Sequence, residues 1–140
     1  MANKKYVLMS IKPQFAQLIK SQKKTVELRR VAPKVEAGDV LVIYESSPVK
    51  RITACCEIEK IIVLEPEKLW EIVNGSSGLT RDDFFAYFNG KEKAVGIKIK
   101  NVRIAETQIA LNTISERVKA PQSYRYLTEE QVRCLPSICD

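Results

Sequence analysis

The sequence predicts an α+β protein, a small mixed β-barrel with several short helices packed at its ends. Three observations carry this expectation. The chain has 140 residues, 45% of them hydrophobic, and shows no repeat, low-complexity tract or linker, so residues 1–140 are expected to form a single domain around a single core. Most apolar segments alternate apolar and polar residues with the period of two that belongs to half-buried strands. The helical stretches are short, are opened by proline or a hydroxyl cap, and mostly do not join successive strands as crossovers.

Tyr6–Ser10 reads as the first strand. From about Lys12 to Ser21 a helix follows, with Pro13 at its first position and Phe15, Leu18 and Ile19 on one face. Thr25–Arg29 then alternates strictly, Val26 and Leu28 against Thr25, Glu27 and Arg29, which predicts a strand. Pro33 and Gly38 make Val31–Gly38 a loop. Val40–Tyr44 is a continuous apolar strand broken by Ser46–Pro48, and Arg51–Leu64 alternates long enough for a bent strand with Ile52, Ala54, Cys56 and Ile58 on one face. Pro66 opens a helix carrying Leu69, Trp70 and Val73, and Asn74-Gly75 ends it. Thr80 with Asp83 forms a capping box with the shorter acid, predicting a helix over Arg81–Phe88 closed by Asn89-Gly90. Ala94–Ala105 turns Val95, Ile97 and Ile99 inward and Lys98 and Lys100 outward. Thr128 with Gln131 caps a last short helix ending near Cys134, and Pro136 stops it.

Charge narrows the partners. The formal net charge is +6, yet nine basic residues face one acid, Glu27, between residues 1 and 35, so the remainder is slightly acidic. Such asymmetry is the footprint of an anion-binding face, most often for nucleic acid, although a solvated lysine-rich surface has the same composition. No apolar run approaches the roughly 20 residues that cross a bilayer, and the N-terminus lacks a secretory segment, so no membrane partner and a cytoplasmic location are expected. The cysteines are Cys55, Cys56, Cys134 and Cys139; neighbouring strand residues face opposite sides, and with no histidine and no Cys-x-x-Cys, neither a metal site nor a cofactor is expected. Reduced, small apolar side chains are the expectation for all four. The absence of histidine also removes the commonest general base and leaves Lys, Glu, Cys, Tyr or a hydroxyl for any catalysis.

The segment Ser21–Arg30, SQKKTVELRR, concentrates the candidate chemistry. Strand alternation points Glu27 and Arg29 the same way, with Lys24 at the strand mouth, so one acid and two cations converge. Arg29 offers a planar fork for a phosphate or base edge, Lys24 a point charge, and Glu27 an acceptor for an exocyclic amine. The alternative is a surface ion pair of little energetic weight. On an exposed mouth, removing Lys24 or Glu27 should change stability by less than about 0.5 kcal/mol. Lys12, Lys20, Lys23 and Arg30 extend the basic face. Tyr124, Arg125 and Tyr126 interleave rings with a cation, which suits stacking on the bases of a single strand; tyrosines lying flat on their own barrel give the same pattern.

Tyr6–Arg30 resembles the opening of an ASCH domain, a member of the PUA-like superfamily. The family signature is Gly-x-Lys-x-x-Glu-x-Arg, and Lys24, Glu27 and Arg29 match three of its four positions while Gln22 stands where the glycine belongs. Ala37–Arg51 and Ala94–Val102 fit the family layout, so the resemblance runs from the first strand to Val102. It implies a PUA-like barrel that binds RNA or a modified nucleoside or nucleotide. Some members are enzymes, either amidohydrolases of N4-acylated cytidines or ribonucleases. In the amidohydrolase type a threonine takes the place of Glu27 and is activated by the lysine equivalent to Lys24; here Thr25 is the nearest hydroxyl on that strand face. A Lys24/Glu27 pair could instead deprotonate a ribose 2′-hydroxyl. Two readings follow: an RNA- or nucleotide-binding module with a regulatory role, or a metal-independent hydrolase using Lys24, Glu27 and Thr25.

Overall fold

Alternation along the apolar segments builds six strands that share one mixed sheet. The computed structural model describes residues 4–114 and 119–139. Its strands are β1 (Tyr6–Ile11), β2 (Val26–Arg29), β3 (Val40–Glu45), β4 (Arg51–Leu64), β5 (Ala94–Ile109) and β6 (Tyr124–Tyr126), in the spatial order β2-β5-β4-β3-β1-β6. β1 and β3 pair in parallel and the other neighbours antiparallel. The long β4 and β5 are interrupted by register shifts, and such bulges bend a ladder and raise its twist, so the sheet curls into a half-barrel.

The helices are α1 (Pro13–Lys20), α2 (Pro66–Val73), α3 (Arg81–Tyr87) and α4 (Glu129–Arg133). Proline opens α1 and α2; Thr80 Oγ1 accepts the Asp83 N–H at 3.2 Å, and Thr128 with Gln131 completes a reciprocal capping box. Gln22 has φ +63°, and Lys23 and Lys24 N–H both return to the Leu18 carbonyl, at 2.9 and 3.0 Å. A left-handed residue therefore closes α1 and turns the chain into β2, the conformation for which glycine is cheapest.

Each face of the sheet has its own apolar cluster. On one face Met9, Ile43, Ile58 and Ile97 pack with Ala16 and Ile19 of α1. On the other, Leu8, Val42, Tyr44 and Ile52 are covered by Ile114, Leu127, Leu135 and Ile138 of the C-terminal segment. A third cluster joins Val26 and Leu28 to Leu69, Val73, Phe84 and Phe88 of α2 and α3.

Two expectations are corrected here. Ile52 does not share a face with Ala54, Cys56 and Ile58, because the ladders slip between Ile52 and Ala54 and return Ile52 to the opposite cluster. Nor are all four cysteines reduced. Cys55 and Cys56 do face opposite sides, but Cys55 meets the C-terminal segment and forms a disulfide with Cys139 across a Cα–Cα distance of 5.4 Å. Cys56 is a buried thiol whose pKa is pushed up by burial and by the Glu27 charge, and Cys134 is an exposed thiol.

Candidate functional site

Because Val26 and Leu28 are committed to the cluster under α2 and α3, alternation sends Glu27 and Arg29 to the other side of β2. The strand is held at its entry by the Ser76 carbonyl, which accepts the N–H groups of Thr25 at 2.8 Å and Val26 at 3.2 Å. Lys24 Nζ lies 3.3 Å from Glu27 Oε1, and Arg29 Nη2 lies 2.8 Å from Glu27 Oε2. The same Nη2 donates to the Ser10 carbonyl at 2.8 Å, while Nη1 donates to Ser123 Oγ at 3.1 Å. One guanidinium thus ties together β2, β1 and the segment before β6.

The triad is not on an exposed mouth. Lys24 is 1% exposed, Glu27 7% and Arg29 9%. Lys24 Nζ also donates to the Ser77 carbonyl, and its ammonium sits 5.3 Å from the Phe15 ring centroid. The Ser76–Leu79 loop and α1 cover these charges, and burial is tolerable because each has an opposite charge or hydrogen-bond partner. Burial lowers the Lys24 pKa from its ordinary 10.5, and Glu27 opposes that shift.

The triad floors a cleft of about 640 Å³. Phe15, Leu79 and Tyr87 form one wall, and Ala120–Ser123 another. This second wall is fastened to β1 by Ser10, whose N–H donates to the Ser123 carbonyl at 3.1 Å and whose hydroxyl donates to the Pro121 carbonyl. Lys12, Arg30 and Lys50 also line the cleft, so five cations face one carboxylate, Glu27, among the described residues.

Lys12, Lys24, Glu27, Arg29 and Arg30 are therefore brought together as the basic segment suggests. Lys20 is instead paired with the buried Glu45, Lys23 is exposed on the turn after α1, and Thr25 lies outside the cleft lining. Tyr124, Arg125 and Tyr126 form the edge strand β6 and do not line the cleft; the Tyr126 hydroxyl accepts the Lys34 N–H at 2.6 Å, and Tyr124 packs against the core. Sequence reasoning misses Tyr44, Lys50 and Tyr87. Of these only Lys50 carries a local cue, its place after the Ser46–Pro48 break, where it takes φ +52°.

The curled half-barrel sheet with its short helices is a PUA-like fold. The chain belongs to the ASCH domain family, whose model matches residues 9–111. An ASCH domain-containing ribonuclease of Zymomonas mobilis is 30% identical over 139 residues, covering 97% of this chain and 93% of the relative. The crystal structure of ASCH from Zymomonas mobilis has a TM-score of 0.88 at 29% identity, with 94% of each chain covered. That of a tyrosine-to-phenylalanine mutant of the Zymomonas mobilis protein has a TM-score of 0.87 at 28% identity, covering 93% of this chain and 95% of the mutant.

Proposed function

We propose that the protein is a ribonuclease that binds single-stranded RNA in the basic cleft and cleaves it through the ribose 2′-hydroxyl without a metal. The observation that carries this reading is the convergence of Lys12, Lys24, Arg29, Arg30 and Lys50 on a cleft in which Glu27, the one acid among the described residues, already has two cationic partners. A polyanion neutralises such a surplus and releases counterions as it binds. The similarity to a ribonuclease over nearly the whole chain supports the choice of RNA. A 2′-hydroxyl needs a proton acceptor, and without histidine that role falls to the Lys24–Glu27 pair, 3.3 Å apart on the cleft floor, where burial lowers the lysine pKa. As the 2′-oxygen bonds to phosphorus and the bond to the 5′-oxygen breaks, Arg29 and the rim cations stabilise the negative charge that grows on the phosphate oxygens, and the 5′-oxygen leaves with the proton that the pair took up. Among the described residues no group of three or more His, Cys, Asp or Glu is placed to hold a metal.

A second reading, an RNA-binding module without catalysis, is favoured by one feature: both Glu27 carboxylate oxygens are already engaged, by Lys24 and Arg29. The amidohydrolase reading lacks its hydroxyl, since Thr25 does not line the cleft. The test is incubation of the protein at neutral pH in chelator with a labelled single-stranded RNA, the matching DNA, and N4-acetylcytidine. The expected result is RNA cleavage to 2′,3′-cyclic phosphate ends, intact DNA, and binding that weakens steeply as salt rises. Salt-dependent RNA binding without cleavage selects the module, release of acetate selects the amidohydrolase, and binding indifferent to salt sinks the cleft assignment.

A further inference from the structure

We propose that Arg30 and Tyr87 form a shelf on which one nucleobase of the bound strand stacks, a role that rests on the RNA reading above. Arg30 follows the triad directly in sequence but engages none of it. Its guanidinium carbon lies 4.1 Å from the Tyr87 ring centroid, and its Nε donates to the Tyr87 carbonyl at 2.8 Å. Two contacts to the same residue hold the guanidinium against the ring.

The ring beneath it is anchored as well. The Tyr87 hydroxyl donates to the Leu28 carbonyl at 3.4 Å, and the ring meets Phe88 edge to face with centroids 4.8 Å apart. Tyr87 is half-buried, Arg30 is exposed, and both line the cleft. Arg30 pairs with no carboxylate among the described residues. The cleft therefore presents an exposed cationic plane backed by an aromatic ring.

Such a plane suits a base better than it suits a phosphate alone. An unstacked base has a π-face whatever its identity, and guanidinium planes and aromatic rings are the two surfaces on which proteins seat it. The shelf accordingly recognises any nucleobase of a single strand and adds no sequence preference through hydrogen bonds. Arg30 and Tyr87 line the same cleft as Lys24, Glu27 and Arg29, so a base seated there belongs to a nucleotide that enters the cleft and not to a distant flank.

The experiment compares wild type with Arg30→Lys, which keeps the charge and loses the plane, using a short RNA and the same oligomer with abasic sites. Arg30 is exposed, so the substitution leaves the fold in place. The expected result is an affinity for intact RNA about tenfold to a hundredfold lower in Arg30→Lys, the range for one lost base stack, with the abasic oligomer bound equally by both proteins. A 2-aminopurine in the intact RNA should change fluorescence on binding wild type and much less on binding the variant. If Arg30→Lys weakens both oligomers alike, Arg30 is a phosphate contact and the shelf is wrong. If it weakens neither, the shelf is wrong and the RNA reading stands. If wild type binds neither oligomer, the RNA reading fails and takes the shelf with it.

Discussion

Replacing Glu27 by alanine tests whether the triad is a buried unit. The substitution leaves the Lys24 ammonium, 1% exposed, without the carboxylate 3.3 Å away and with the Ser77 carbonyl as its remaining hydrogen-bond acceptor. Arg29 loses its carboxylate as well but keeps the Ser10 and Ser123 oxygens. Removing one partner of a buried pair costs about 3–5 kcal/mol, because the other charge stays behind without compensation. Against the roughly 5–15 kcal/mol that holds a domain together, this is a large fraction. An unfolding entropy of about 0.3 kcal/mol/K for a chain of this size converts it to a fall in Tm of about 10–17 °C. The deficit should also depend on pH. Burial already holds the Lys24 pKa below 10.5 in the folded protein, and losing Glu27 lowers it further, whereas the unfolded chain keeps the proton up to the ordinary value. Between the lowered value and 10.5 the unfolded state binds more protons, so stability rises with pH across that window and the deficit of Glu27→Ala shrinks. The assay is thermal unfolding by circular dichroism over a pH series. Glu59→Ala serves as the control, since Glu59 pairs with Lys98 on the surface, where water and salt screen the pair and leave it little energetic weight. A loss no larger than the control's, or a deficit that widens with pH, would refute the reasoning.

Three further outcomes are expected. Gln22→Gly should stabilise the protein by up to about 1 kcal/mol, since φ +63° strains every residue with a Cβ, and an unchanged urea midpoint would contradict that. Gly78→Ala and Gly90→Ala impose the same backbone strain, at φ +79° and +80°, but the new Cβ at 78 meets Leu18 Cδ1 at 3.1 Å and Lys24 Cδ at 3.3 Å, while that at 90 meets nothing within 4 Å. Gly78→Ala alone should therefore alter RNA affinity, and equal effects in binding titrations would show that Lys24 is not positioned by this loop. Unfolding without reductant should expose two titratable thiols, Cys56 and Cys134, and Cys139→Ser should lower stability by about 2–4 kcal/mol; four thiols in the unreduced protein would overturn the Cys55–Cys139 link.

Local chemistry made the elements legible in the sequence. Pro13 and Pro66 open helices, Thr80 and Thr128 cap them, and β4 runs over the predicted Arg51–Leu64. Alternation also shows that Glu27 and Arg29 share a side of β2, and the structure joins them with Lys24. Alternation tells which way a side chain points and nothing of what lies above it. The Ser77 carbonyl that helps bury Lys24 is 53 positions away, and Ser123, which receives Arg29, is 94 away. The disulfide spans 84 positions. The side taken by Ile52 is hidden for a related reason, because a one-residue slip in a ladder reverses the side chains beyond it and leaves no mark in the hydrophobic pattern.

The short strand β6 closes an edge that the chain could not safely leave open. It pairs with Val7, Leu8 and Met9 of β1, three apolar residues fully shielded from solvent. Stripped of β6, β1 would present a row of unpaired N–H and C=O groups on an apolar strand, the template on which a second chain adds itself. β6 recruits poorly in its turn, being three residues long with an exposed arginine at its centre. Clipping the chain after Lys119 should therefore uncover this edge together with the apolar face that Leu127, Leu135 and Ile138 cover, and light scattering should show the clipped protein self-associating.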